Sequence, residues 1–307
     1  LTVVGVLGTT EFGTLDPVDA LVDARDTRAR AGQGMAVHVD AAWGGYLATM
    51  FRDPEGALRP RDEIRAQFRY FPSEPVYRAF EALGRTDSMT IDPHKLGFVP
   101  YPAGAFVARN REVATLLAES APYVFVDADQ PGAPQIDFGQ LGRFILEGSK
   151  PGASAASVWA THQVFPLHDK GFGALIANTI DASETLHDAI DELAASLDGV
   201  ATLIMPFEPD SNIVCLAGNP AGNADAATMN RFMRALYDTM RFQSDGVPHS
   251  LEFIASVTSV ATSRLTDERV AQLAARLGLD SATFVGDDAQ VVMLRHTLMN
   301  PWLLRGD

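Results

Sequence analysis

The sequence predicts an α/β fold, with a mostly parallel sheet covered by helices in its first part and a small α/β layer at its C-terminal end. Three observations carry this expectation. Apolar, β-branched runs at residues 1–7 and 37–40 flank a helix-like stretch, and a strand–helix–strand unit within one sheet makes its two strands parallel. A third apolar run at 89–91 stops on an Asp-Pro turn. Beyond residue 170 a long amphipathic helix leads into alternating short strands and helices, without repeats or low-complexity tracts. The expected division is 1–170, the latter part of a large domain, and 171–307, a linker helix and small C-terminal domain.

The elements follow in order. The first strand ends in Gly8-Thr9-Thr10-Glu11-Phe12-Gly13, a polar, turn-forming segment. A helix comes next, with Asp16 as N-cap, Pro17 at the first helical position, Asp19 in the positive first turn and Gly32 as the stop. The second strand ends on Asp40. Residues 51–84 are polar and Arg-rich with breaks at Pro54, Pro60, Pro72 and Pro75, which reads as a solvated insertion holding one or two short surface helices. The same segment could instead shape the entrance to a site. After 89–91 the chain turns at Asp92-Pro93, and Pro100-Tyr101-Pro102-Ala103-Gly104 leads into a strand at 105–108. Glu147-Gly148-Ser149-Lys150-Pro151-Gly152 opens a helix of small residues running to Val164. From Gly171 to about Leu197, Ile176, Ile180, Leu186, Ile190, Leu193 and Leu197 form one apolar stripe with acids opposite, ending at Gly199. Strands near 200–205, 213–216, 253–258 and 291–298 then alternate with helices near 224–240 and 266–277.

Bulk properties narrow the function class. The 307 residues carry a formal charge of −15, with 47% hydrophobic and 21% charged residues, an ordinary soluble-enzyme balance that argues against a nucleic-acid surface. A single cysteine, Cys215, excludes an intrachain disulfide framework and fits a reducing compartment. No apolar run is long enough to cross a bilayer, so the cytoplasm is the expected location. No metal ligand is assigned. The chain starts without methionine and directly in a core-like strand. It therefore reads as the latter part of a longer enzyme, which would supply a preceding N-terminal segment.

Two stretches carry chemistry. Lys95 sits on a turn at the end of a strand, where open α/β sheets collect ligands. It is either a solvated surface lysine or an amine able to form an imine with a carbonyl. The second stretch, His38-Val39-Asp40-Ala41-Ala42-Trp43, ends a buried strand on an acid. An unpartnered buried carboxylate is expensive, and a protonated pyridine nitrogen would partner it. An aspartate facing a pyridinium and a lysine facing an aldehyde together hold pyridoxal phosphate. Ala41 and Ala42 leave room for its flat ring.

These residues resemble the group II pyridoxal-phosphate-dependent amino-acid decarboxylases. Asp92-Pro93-His94-Lys95-Leu96-Gly97-Phe98-Val99-Pro100-Tyr101 and the later Glu147-Gly-Ser-Lys-Pro-Gly-Ala-Ser-Ala-Ala-Ser-Val-Trp159 are most similar to the bacterial tyrosine decarboxylases within that group. The match is specific up to about residue 167 and general beyond it. The resemblance implies a fold type I (aspartate aminotransferase-like) enzyme that decarboxylates an L-amino acid, of aromatic, tyrosine-like class, to its amine. Lys95 would bind the cofactor aldehyde, Asp40 the ring nitrogen and His94 the phosphate. Thr10 would lie near the ring's phenolic oxygen, with a local turn threonine as the other reading. Ser149 would be a phosphate contact or a simple cap. Tyr101 would donate a proton to the substrate carbon or else pack, and Tyr123 is a second candidate. Lys150 ranks below Lys95 because it follows a glycine turn. Arg295 could grip a substrate carboxylate, but clamping the group that must leave opposes the reaction, so it reads as structural. Family sites shared across subunits imply a homodimer. Another fold type I lyase or aminotransferase, or an incomplete fragment acting only in assembly, are the alternative readings.

Overall fold

In the computed structural model, residues 1–117, 150–241 and 254–304 are described. Thr2–Val6 (β1), Ala36–Ala41 (β2), Ser88–Ile91 (β3) and Ala105–Ala108 (β4) form one sheet in the order β1-β2-β3-β4. The first three are parallel and β4 is antiparallel to β3, so the expected βαβ unit is present. Helix Val18–Arg30 (α1) makes its crossover. Along β2 the buried residues are Val37, Val39 and Ala41. Side chains alternate in a strand, so His38 and Asp40 share the opposite face. There His38 contacts Ser88 Oγ at 2.8 Å and Thr90 Oγ1 at 3.0 Å across the strand pair.

Two details of α1 and the following insertion differ from the sequence reading. Asp16 does not cap the helix; Pro17 holds that position and no side chain caps it. The Asp16 carboxylate instead accepts the Val6 N–H at 2.8 Å, satisfying a donor at the strand end. The 51–84 segment does form two short helices, Arg61–Arg65 (α2) and Glu74–Glu81 (α3), but it is not a solvated insertion. Phe51, Ile64, Phe71, Val76, Ala79 and Phe80 join the main core, and Phe51 stacks on Phe80 at 4.2 Å and 20°. Val76, Ala79 and Phe80 lie at i, i+3, i+4 spacing, which puts them on one helix face; each large apolar side chain buried there stabilises by roughly 1.5–3 kcal/mol. Arg69 and Arg78 face outward, with side chains 63% and 58% exposed, and mask that signal.

Helices Gly152–Val164 (α4) and Phe172–Ser196 (α5) follow. The apolar stripe of α5 buries Ile176, Ile180 and Ile190, whereas Leu193 is exposed. Glu184, expected among the solvated acids, is buried. Its carboxylate accepts the backbone N–H groups of Arg69, Tyr70 and Phe71 at 2.7, 2.8 and 2.8 Å, which fastens the insertion to α5. Glu184→Ala leaves three donors without their acceptor and is expected to destabilise the fold by about 3 kcal/mol, read by chemical denaturation.

The second sheet is antiparallel, in the order β5-β6-β8-β7. It comprises Ala201–Ile204 (β5), Ile213–Pro220 (β6), Ser256–Ala261 (β7) and Gln290–Thr297 (β8), with helices Ala226–Met240 (α6) and Asp267–Leu277 (α7). The structure starts β7 later than the sequence suggested. No helix among the described residues is long and apolar enough to cross a membrane.

Candidate active site

The carboxyl ends of β2 and β3 define the site. Their register pairs Asp40 with Thr90 and Ala41 with Ile91, and paired strands lie about 4.8 Å apart. Asp40 therefore stands at the end of one strand while Lys95 occupies the turn that leaves the end of its neighbour. The Asp40 carboxylate accepts the Ala42 N–H at 3.1 Å and has no ion-pair partner among the described residues.

The lysine turn is tightly built. Lys95 N–H donates to the Asp92 carbonyl at 2.9 Å and Val99 N–H to the Pro93 carbonyl at 3.0 Å. Lys95 Nζ thereby returns to Asp92 Oδ2 at 2.9 Å, and His94 Nε2 lies 3.6 Å from the same oxygen. Both partners of the lysine pair are partly exposed, so the pair is worth about 1 kcal/mol or less. His94 Nδ1 accepts the Ala103 N–H at 3.3 Å, and its ring stacks on Tyr101 at 3.9 Å and 29°. The Tyr101 ring is otherwise 73% exposed. Gly97 lets the turn rest on its support: a Cβ there would fall 2.5 Å from the Pro93 carbonyl oxygen and 2.6 Å from Tyr46 Cζ. Below it, Tyr46 OH meets His162 Nε2 of α4 at 2.9 Å. Burial pushes the Tyr46 phenol up to about 12 and desolvation pushes the His162 imidazole down, so both stand neutral under the turn.

The loop carrying Thr10 approaches from the end of β1 and leans on the second sheet. Leu15 N–H donates to Asp210 Oδ2 at 3.1 Å, Thr258 Oγ1 donates to Glu11 Oε2 at 2.5 Å, and Trp43 Nε1 donates to Asn212 Oδ1 at 3.0 Å. Thr10 itself is exposed at the turn. Burial holds the Asp210 carboxyl above its usual range, only partly offset by the Leu15 N–H. A carboxyl raised in the folded state makes stability fall as pH climbs from its unfolded to its folded value. Asp210→Asn keeps an acceptor for Leu15 and removes the charge. It is expected to raise the melting temperature near pH 7, with a smaller gain at about pH 4, in thermal melts of both proteins.

The structure thus brings Asp40, Ala42, His94, Lys95 and Tyr101 to one edge of the sheet. Ser149 and Tyr123 lie outside the described residues. Lys150 is exposed ahead of α4. Arg295 on β8 donates to Ser256 Oγ at 3.3 Å, within the second sheet. Sequence reasoning passed over Asp92, although its three-residue spacing from Lys95 in a turn was the available signal. It also passed over the Tyr46–His162 contact, which joins residues 116 apart and leaves no local trace.

Residues 182–307 match the family model described as tyrosine decarboxylase, C-terminal. The L-tyrosine decarboxylase of Enterococcus faecium is 33% identical over 99% of this chain and 50% of that protein. That of Enterococcus faecalis is 36% identical over 85% of this chain and 43% of its own length. A probable L-aspartate decarboxylase of Thermococcus gammatolerans is 29% identical over 69% of the chain and 44% of that protein. The chain spans about half the length of the curated relatives it matches. Among solved structures, Oryza sativa TDC with PLP and tryptamine superposes with a TM-score of 0.59 at 15% identity, covering 97% of this chain and 46% of that one. Mouse CSAD gives 0.58 at 17% identity, covering 98% and 48%. The architecture is therefore the fold type I arrangement of these decarboxylases, as the sequence led us to expect.

Proposed function

The chain is a homologue of the bacterial L-tyrosine decarboxylases across 99% of its own length, and from that kinship we propose that it carries the catalytic lysine and ring-binding acid of a pyridoxal-phosphate-dependent amino-acid decarboxylase. The observation that carries the reading is that Asp40 lies near the end of β2 while Lys95 lies on the turn that leaves the adjacent parallel strand β3. An acid with no ion-pair partner among the described residues, small side chains after it and an amine on the next turn suit an aromatic cationic ring bearing an aldehyde. Residues 1–170 then form the latter part of the cofactor-binding domain, and 171–307 the linker helix and small domain.

When bound, pyridoxal phosphate supplies a ring that accepts the electron pair left behind as carbon dioxide departs. Asp40 would hold the ring nitrogen and keep its proton there, since a fixed positive charge favours the ionised carboxylate and the carboxylate favours the cation. Ala42 leaves the ring's face clear. Lys95 would hold the aldehyde carbon through its side-chain amine. Asp92 would pair with that amine when it is free, at the distance it already keeps. His94 would contact the phosphate and Thr10 the phenolic oxygen, and Ser149 is the further residue proposed for the phosphate. Tyr101, stacked on His94 and exposed, is the proton donor to the substrate α-carbon.

The substrate is an aromatic L-amino acid, with tyrosine favoured because relatives named L-tyrosine decarboxylase match 99% of the chain. The active form is a homodimer with shared sites. Its free, buried Cys215 suits the reducing cytoplasm. A panel of L-amino acids incubated with the full-length protein and pyridoxal phosphate, scored for amine, aldehyde and keto acid, tests the reading. Amine from tyrosine is expected; keto acid alone would make it an aminotransferase instead. Light scattering giving an active monomer would remove the shared-site dimer.

A further inference from the structure

Phe98 is the only non-glycine residue with a positive φ among those described, at 54°. Bulky side chains are disfavoured in that left-handed region, and glycine is the residue that occupies it freely. Here the glycine stands one place earlier. Gly97 is consumed by the close approach of the turn to Pro93 and Tyr46, so the left-handed position falls to a phenylalanine. Phe98 N–H closes the turn on the Lys95 carbonyl at 3.1 Å, which ties the strained residue to the reactive one.

Packing does not account for the choice. Phe98 is 39% exposed, and among the described residues its ring stacks on Phe172, at 6.0 Å between centroids and 24° between planes. Phe172 itself is buried and belongs to the aromatic group with Tyr46 and His162 beneath the turn. A ring kept in a disfavoured backbone state and left two-fifths uncovered is not stabilising the fold in proportion to its size. Strain of this kind persists where the surroundings enforce it and clusters at sites of function.

We propose that Phe98 is a specificity-determining residue, an apolar aromatic wall on the Lys95 turn against which the side chain of an aromatic substrate packs. The inference rests on the decarboxylase reading and deepens it. Aromatic rings gain from offset or edge contact with one another, whereas a carboxylate gains nothing from an apolar face and loses hydration there. The wall therefore discriminates for an aryl and against an acidic side chain, the two substrate classes named among the relatives.

The test uses the full-length protein and its Phe98→Gly and Phe98→Tyr variants. Phe98→Gly releases the strained backbone, so its melting temperature should equal or exceed that of the parent, with cofactor uptake unchanged. Its kcat/KM for L-tyrosine should fall about tenfold or more, through KM, while that for L-aspartate stays where it was. Phe98→Tyr should restore the parent ratio. Calorimetry gives a second readout, with tyramine bound about tenfold more weakly by Phe98→Gly. A lower melting temperature with an equal loss on both substrates would make Phe98 a packing residue and overturn the proposal, as would an unchanged ratio or no tyramine binding by the parent. A parent protein that forms no amine from any amino acid would refute the decarboxylase reading instead, and the tyramine affinities would still decide the role of the ring.

Discussion

Lys95→Ala should leave a folded, colourless protein. Incubated with pyridoxal phosphate and reduced with borohydride, the parent should gain the cofactor's mass on the peptide containing residue 95, and the variant should gain none there. Amine formation should drop on the order of 10³-fold or more, because the variant loses both the covalent hold on the aldehyde and the amine that exchanges with substrate. The fold should survive. The Lys95 side chain is 33% exposed and that of its partner Asp92 20%, so its removal shifts stability by about 1 kcal/mol or less. A variant that still takes up cofactor mass at Lys150 or Lys170 with full activity would move the reactive amine elsewhere.

The parts of this arrangement that were legible in the sequence are those written in local pattern. β1, β2 and β3 are short β-branched runs closed by turn residues, and their parallel pairing follows from the helices between them. Asp40 and Lys95 stand out because a strand that ends on an acid, and another that ends one turn before a lysine, put unlike chemistry on one sheet edge. The pairing of Asp40 with Thr90 sets those two strand ends side by side.

What stayed hidden depends on partners far along the chain. Glu184 looks like any solvated acid of a long helix until residues 69–71 bring three N–H groups to it. The α2–α3 region carries its arginines and prolines in plain view, while the residues that bury it, Ile64, Phe71, Val76, Ala79 and Phe80, sit between them. Asp16 has the composition of a helix cap but finds the orphan Val6 N–H first. Phe98 gives no signal at all, because a positive φ at phenylalanine is forced by the closure of the turn and by the prior use of Gly97 for a close contact. Local propensity reports what a segment prefers; these four positions are decided by what the rest of the fold demands.

Asp40→Asn should separate binding from catalysis. The substitution keeps the shape of the side chain and an oxygen to accept the Ala42 N–H, now 3.1 Å from Asp40 Oδ1, so the end of β2 should hold. It removes the negative charge that, on the proposed reading, would fix a proton on the ring nitrogen. Without that proton the ring withdraws electrons less strongly, and the α-carbon bond breaks more slowly. Loss of a preorganised charge aimed at a developing one lowers kcat by about 10²–10³-fold. Covalent uptake at Lys95 should remain, because the lysine turn takes its geometry from Asp92, Pro93 and Gly97 and not from Asp40. The expected signature is therefore a protein that accepts cofactor mass at Lys95, melts close to the parent and turns over slowly, with cofactor that dissociates more readily. Equal turnover in Asp40→Asn would mean that another acid faces the ring nitrogen, and the pairing of strand ends that assigns the site would lose its chemical meaning.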